Sequence, residues 1–257
     1  MFGSVKMMRS AIRGARCIRL FAAGLIIAAG SAHAQSPQVT DSLAQRLRAC
    51  TACHAASDQT LSDTFVPRLA GKPAAYLHEQ LRSFQQGRRL YQPMQGLLAP
   101  LPDAYLADIA RFFATQPVVL APPTPLGDAA LRTRGEALAL RGDAAAKVPA
   151  CVACHGAALT GVLPATPGLV GLPRNYLVAQ LGAWRSGARQ ARSPDCMSQI
   201  ARALDQNDLA AVAAWLASQP LPAVHDAVPL ASLPAPPPMA CGSIPAVGAD
   251  NRGAVRP

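Results

Sequence analysis

Aromatic residues are scarce in this chain of 257 residues, where Phe, Trp and Tyr together make up 5%. Acidic residues are also few, with 14 Asp and Glu against 24 Lys and Arg. The basic residues are spread over both halves of the chain, so nothing resembles a nucleic-acid-binding patch. Only one long apolar run occurs, and it lies near the N-terminus. These scarcities argue against a nucleic-acid-binding protein and against a membrane protein with several spans.

The N-terminal segment, residues 1–34, has the pattern of a secretory signal peptide. Basic residues without a single acid precede an apolar run at residues 20–29, and Ala32-His33-Ala34 then offers a small-residue cleavage site. The run is short for a membrane span, although an uncleaved anchor is the alternative. We therefore expect export, with cleavage after Ala34 and a soluble mature protein. Cleavage removes five basic residues, which lowers the formal net charge from +10 to +5.

The strongest chemical signal is the sequence Cys-x-x-Cys-His, which occurs twice. The copies are Cys50-Thr51-Ala52-Cys53-His54 and Cys151-Val152-Ala153-Cys154-His155. In c-type haem attachment the two cysteines form thioether bonds to the porphyrin, and the histidine becomes an axial ligand of the iron. A zinc or thiol redox site is the alternative for a single copy. Two copies in an exported chain favour two covalently bound haem c groups, which would also supply apolar core where aromatics are few.

Internal duplication is the second strong signal. Three segments of the first half recur in the second half, the first two at an offset of 100 residues. The pairs are residues 67–73 with 167–173, 76–89 with 176–189, and 106–117 with 209–220. Leu77, Leu81 and Phe84 have helical spacing, which predicts an amphipathic helix that ends at Gly87. The last pair is helical as well, and neither copy contains a convincing strand.

The repeats predict an all-α fold of two tandem cytochrome c domains with a Pro-rich C-terminal tail. We place the first domain at residues 35–120, the second at 121–222 and the tail at 223–257. The first helix is expected to begin near Asp41 as its N-cap, and its counterpart to run from about Asp128 to Arg141. The tail contains too much Pro, Ala and Gly to fold alone, so we expect it to lie partly extended along the domains.

Methionine is the best candidate for the second axial ligand of each haem. Met94 follows His54 at nearly the same spacing as Met197 follows His155, whereas Met239 falls outside the repeat. Filling gaps in the core is the alternative role of these methionines. His/Met ligation raises the reduction potential of the iron and leaves no open position for a substrate. The pattern therefore favours electron transfer over oxygen or peroxide chemistry.

The remaining histidines and two prolines have weaker interpretations. His78 has no histidine counterpart in the second repeat, so we interpret it as a solvated helix residue. His225, in the tail, is a still weaker candidate for a haem ligand. Pro67 and Pro167 follow the two haem histidines at nearly equal spacing. A carbonyl near each proline could accept a hydrogen bond from the histidine Nδ1–H and fix the ring. An ordinary turn proline is the alternative.

From about residue 41 to residue 220 the chain resembles the dihaem cytochrome c4 family. The resemblance implies two haem domains paired by a pseudo-twofold axis, with His54 and Met94 as ligands of the first haem iron and His155 and Met197 as ligands of the second. It also implies a periplasmic electron shuttle. A quinol-oxidising complex or a dehydrogenase would be the donor and a terminal oxidase the acceptor, with at most peripheral membrane contact.

The sequence departs from the family pattern in three places. Gly usually follows the haem histidine, and Gly156 fits, but Ala55 follows His54. The stretch from Gly187 to Met197 is longer than the corresponding stretch of the first copy, so the second copy has an insertion beside its methionine. The tail also lies outside the resemblance.

Two cysteines remain after the haem cysteines and Cys17 of the signal peptide are set aside. They are Cys196 and Cys241, and in an oxidising compartment they are expected to form a disulfide that ties the tail beside the second haem. The rival hypothesis is that Cys196 itself ligates the second haem in place of Met197.

Five arginines precede the methionines, and solvated helix ends are their simplest interpretation. Neutralising haem propionates and forming a docking rim are the alternatives. The residues are Arg88, Arg89, Arg185, Arg189 and Arg192. The leading function is a soluble dihaem electron carrier and not an enzyme. The alternatives are the cytochrome subunit of a periplasmic dehydrogenase, or an enzyme whose second haem is open or Cys-ligated.

Overall fold

Helices account for most of the structure, a computed structural model that describes residues 41–54, 66–120 and 122–244. In the first repeat the helices are α1 (Leu43–Arg46), α2 (Arg48–His54), α3 (Ala74–Gln85), α4 (Gln92–Leu98) and α5 (Asp103–Ala114). In the second repeat they are α6 (Ala129–Leu140), α7 (Val152–His155), α8 (Arg174–Ser186), α9 (Cys196–Ala203) and α10 (Gln206–Ala217). A short 3₁₀ turn follows at Leu230–Ser232. The signal peptide, Ala55 and the end of the tail lie outside the described residues.

Helix starts follow from local capping chemistry. The Asp128 carboxylate accepts hydrogen bonds from the first-turn amides of α6, as the sequence predicts. The expected cap at Asp41 is wrong by one residue: the Ser42 side chain caps α1, while Asp41 forms an ion pair with Arg46 at 3.1 Å.

Two residues beyond α3, Gly87 has a positive φ of 70°. Gly187 caps α8 with a φ of 85°, a conformation that glycine adopts without steric cost.

Each repeat has its own hydrophobic core. In the first, α3 packs on α5, and Leu106 and Ile109 of α5 are buried in the cluster. In the second, α10 packs on both α6 and α8, and Val212 and Leu216 are buried. The predicted helical fold of two similar domains is confirmed by this architecture.

A small β-ribbon in the second repeat departs from the expectation of no strands. Strands β1 (Gly161–Val162) and β2 (Thr166–Pro167) pair antiparallel, with Val162 opposite Thr166. A strand of two residues is too short to show the alternating pattern by which strands are predicted.

The tail is attached to the second repeat at two points. Val228 donates its amide to the Gly161 carbonyl at 3.0 Å and accepts from the Leu163 amide at 2.8 Å, which adds it beside β1. Further on, a disulfide joins Cys241 to Cys196 at the start of α9. The described part of the tail therefore lies along the domain as expected. Within the described ranges, no helix has the length and apolar character needed to cross a bilayer.

Candidate haem sites

The second repeat contains a large, mainly apolar cavity in which the predicted haem residues of that repeat meet. Cys151, Cys154, His155 and Met197 all line it. Helix α7 supplies the Cys154 and His155 side chains, and α9 supplies Met197 from its first turn. The sequence spacing therefore identifies residues that the fold brings together.

His155 is held in a single orientation by the backbone. Its side chain is buried, and Nδ1 lies 2.7 Å from the carbonyl oxygen of Pro167. Because a carbonyl only accepts, Nδ1 carries the hydrogen and donates it, which leaves the Nε2 lone pair for a metal. Burial lowers the pKa of His155, and the hydrogen bond to Pro167 opposes this shift.

The corresponding histidine of the first repeat makes the same contact. His54 ends α2, and its Nδ1 lies 2.8 Å from the carbonyl oxygen of Pro67. Burial lowers the pKa of His54, and the nearby charge of Arg89 lowers it further against the hydrogen bond to Pro67. Cys50 and Met94 pack against the same core cluster. The hydrogen bond that the sequence predicts from each motif histidine to a carbonyl at its proline is present in both repeats.

The cysteines fall into the two groups that the sequence predicts, the haem-attachment cysteines and the disulfide pair. The four cysteines of the two motifs form no disulfide, as thioether attachment requires, whereas Cys196 and Cys241 form the expected disulfide. Because its sulfur is bonded to Cys241, the hypothesis that Cys196 ligates the second haem is wrong for the oxidised protein. Burial raises the pKa of Cys151 to about 11. In the part of the chain that the structure describes, no group of three His, Cys, Asp or Glu side chains is placed to hold a metal ion.

The cavity also contains a donor that fits a haem carboxylate. Trp184 lines the cavity, and its indole Nε1–H is buried without a hydrogen-bond partner among the described residues. A buried donor costs free energy unless an acceptor reaches it, and a propionate of a bound haem would be an acceptor of the right kind. The apolar walls, the thiols and this donor together fit haem c. When bound, haem supplies an Fe(III)/Fe(II) couple, while the chain supplies ligands, burial and orientation.

Two arginines from the repeated segment join the domains in a reciprocal arrangement. Arg89 donates to Gln80 at 3.1 Å and to Gln180 at 2.7 Å. Arg189 donates to Gln180 at 2.7 Å and to Gln80 at 2.8 Å, and it also reaches the Tyr76 hydroxyl at 3.1 Å. This reciprocity is what a twofold relation between the repeats requires. The interpretation of these two arginines as solvated helix ends is therefore wrong, because both bond side chains of the other repeat and Arg189 is buried.

The remaining three arginines of this group and His78 also have defined partners. Glu79 is buried and pairs with Arg88 and with Arg192, each at 2.6 Å. Arg185 donates to the Leu204 carbonyl at 3.0 Å. His78 is half-buried and its Nε2 lies 3.0 Å from a carboxylate oxygen of Asp103, so it is less solvated than expected.

Comparison with known proteins agrees with this geometry. Residues 139–220 match the family model described as cytochrome c. Cytochrome c4 from Pseudomonas aeruginosa is 35% identical over 191 residues, which are 73% of this chain and 90% of that protein. The chain belongs to the dihaem cytochrome c4 family. The cytochrome is also similar to the thiosulfate dehydrogenase electron acceptor of Thiomonas intermedia, which is 40% identical over 173 residues, 67% of this chain and 79% of that protein.

Solved structures show the same relationship. Reduced recombinant cytochrome c4 from Pseudomonas stutzeri is 29% identical with a TM-score of 0.58, and the match covers 68% of the cytochrome and 95% of that chain. A thiosulfate dehydrogenase from Marichromatium purpuratum is 34% identical with a TM-score of 0.59. That match covers 66% of the cytochrome and 36% of the longer chain. The cytochrome thus carries two covalently bound haem c groups and is an electron carrier rather than an enzyme.

Proposed function

We propose that the cytochrome accepts electrons from a dehydrogenase of the thiosulfate-oxidising type and delivers them towards a terminal oxidase. The observation that carries the proposal is the similarity to two proteins named thiosulfate dehydrogenase electron acceptor, at 40% and 38% identity. A quinol-oxidising complex is the alternative donor, since the cytochrome is also similar to cytochromes c4.

The proposed ligands are His54 and Met94 for the first haem iron, and His155 and Met197 for the second. Met197 lines the same cavity as His155, and the disulfide at the preceding residue ties its helix to the tail. Met94 and Cys50 both pack against the hydrophobic core of the first repeat. Two such closed sites suit single-electron transfer, because no coordination position is left for a substrate.

The proposed domain limits and location complete this picture. The two hydrophobic clusters support one domain at residues 35–120 and another at 121–222, with a tail at 223–257. Export to the periplasm, with cleavage after Ala34, is supported by the basic and apolar pattern of residues 1–34 and by the covalent haem attachment.

Optical spectra with and without CO test the ligand sets. The haem-loaded wild type should show the methionine–Fe(III) charge-transfer band and bind no CO. Met94→Ala and Met197→Ala should each open one haem to CO and remove about half of the band. Met239→Ala is the matched control, since Met239 lines the second cavity but falls outside the repeat. If Met239→Ala opened the second haem while Met197→Ala did not, the assignment would be overturned.

Stopped-flow reduction tests the donor. Oxidised cytochrome is mixed with thiosulfate alone, and then with thiosulfate plus a catalytic amount of a thiosulfate dehydrogenase. Rapid haem reduction that requires the enzyme would support the proposal, and reoxidation by membranes containing a terminal oxidase would support the acceptor. Slow reduction by the dehydrogenase, combined with fast reduction by a quinol-oxidising complex, would instead favour the alternative donor.

A further inference from the structure

Lys72 breaks the symmetry between the repeats. It occupies the position that corresponds to Leu172, in a segment that is otherwise closely repeated. Its side chain is buried, with only 4% of the residue exposed. A lysine is almost never buried to this extent without a partner, so the substitution calls for a physical explanation.

Lys72 lies at the second haem site, although it belongs to the first repeat. It lines the same cavity as His155 and Met197. Tyr76 and Gln80 line the cavity from the first repeat as well. The first domain therefore closes part of the wall of the second haem cavity, and it brings an amine to an otherwise mainly apolar lining.

No protein anion balances this amine among the residues that the structure describes. Burial lowers the pKa of Lys72 well below its ordinary value, and the charges of Arg68, Arg189 and Arg89 lower it further. The acid on the same wall is Glu79, whose two oxygens are taken by Arg88 and Arg192. Burying an unpaired charge is costly, so an anion that arrives with the cofactor would relieve this cluster.

We propose that the Lys72 ammonium group forms an ion pair with a propionate carboxylate of the haem in the second site. This interaction crosses from one domain to the haem of the other. It is not reciprocal, because Leu172 carries no charge. A positive charge held near an iron favours Fe(II) over Fe(III), so Lys72 raises the reduction potential of the second haem. The inference rests on the presence of two haem groups, and not on the identity of the donor or on the methionine ligands.

Redox titration of Lys72 variants tests the proposal. The potential of each haem is followed by NMR of its haem methyl groups, and the second haem is assigned by its contacts with Trp184. Lys72→Leu installs the residue of the other repeat and should lower the potential of the second haem more than that of the first. Lys72→Arg keeps the charge and should restore most of the wild-type value. Lys147→Leu is the control, because Lys147 is exposed, and it should change neither potential.

Two results would overturn the proposal. One is a Lys72→Leu protein whose second haem keeps the wild-type potential. The other is a crystal structure of the haem-loaded wild type in which the Lys72 Nζ lies beyond hydrogen-bond distance of every propionate oxygen. The second measurement needs no variant, so it decides the question even if Lys72→Leu fails to fold. Neither result depends on reduction by a dehydrogenase, so this inference can fail while the proposed function stands.

Discussion

Gly135 sets the distance between helices α6 and α10. A Cβ at this position would contact the Ala211 carbonyl and lie 2.6 Å from the Trp215 Cβ, closer than real Cβ contacts allow. We expect Gly135→Ala to lower the free energy of unfolding by about 1–3 kcal/mol. Gly182→Ala in α8 is the matched control, because a Cβ there meets no atom within 4 Å. Denaturant unfolding of the haem-loaded protein measures both, and equal losses would contradict the packing argument.

Asp143 makes the stability of the second domain depend on pH. Its carboxylate accepts from the Ala146 amide at 3.0 Å and from Arg134 at 2.9 Å, and these contacts hold its pKa below the ordinary value. The stabilisation is therefore complete above the unfolded pKa of about 4 and is lost as the pH falls through the folded pKa.

The corresponding variant is Asp143→Asn. It should be less stable than the wild type at pH 7. The difference should shrink as the pH falls below about 4, where the carboxylate of the unfolded chain takes up a proton, and should vanish below the lower folded pKa. Thermal unfolding of both proteins at a series of pH values measures this. A difference that stays constant across the series would show that the charge of Asp143 contributes nothing.

At the scale of elements, the disulfide links the tail to the helix that carries Met197. Cys196 and Cys241 are 45 residues apart in sequence, and closing a loop of this size stabilises a fold by about 2–4 kcal/mol. We expect the double variant Cys196→Ser/Cys241→Ser to lose about that much stability. The second haem should also bind CO more readily, because Met197 directly follows Cys196.

Chemical reduction of the wild type provides the comparison for the double variant. Treatment with a dithiol that leaves the thioether bonds intact should reproduce its unfolding midpoint and CO binding. If CO binding were unchanged in both cases, the tail would have no role in holding the Met197 helix.

The elements themselves were predictable to different degrees. Helices α3, α5, α8 and α10 follow from apolar spacing and from the Gly or Pro residues at their ends, which are local properties. The cap of α1 was misplaced by one residue because Asp41 and Ser42 are both good N-cap residues. Only the path of the backbone decides which of the two side chains reaches the first-turn amide. The β-ribbon was missed because its pairing depends on the turn between β1 and β2, and on Val228 from the tail.

At the scale of the whole molecule, a backbone bridge and the arginine pair hold the two domains together. The Leu90 amide donates to Ala188 at 2.8 Å, and the Gln190 amide donates to Arg88 at 2.6 Å. Arg189, 3% exposed, bonds three side chains of the interface. A loss of these contacts should therefore weaken the whole molecule rather than one site.

Arg189→Lys tests this interface. A lysine keeps the charge but has no planar fork to reach three acceptors at once, so we expect a loss of about 1.5–3 kcal/mol in the free energy of unfolding. Arg202→Lys on the exposed face of α9 is the control and should be close to neutral. Denaturant titration of the haem-loaded proteins compares them, and a neutral Arg189→Lys would show that the backbone bridge alone holds the domains.

The sequence by itself determined the covalent chemistry and the local structure of this protein. The Cys-x-x-Cys-His motifs, the repeated helices and the prolines beside the haem histidines act over short stretches of chain, so their meaning is readable without coordinates. The tertiary structure alone decided what Arg89, Arg189 and Lys72 do. Each arginine bonds a glutamine of its own repeat and one of the other repeat, and Lys72 lines a cavity of the other repeat. A charged side chain affects stability strongly only when it is buried, and these side chains become buried only when the two domains meet.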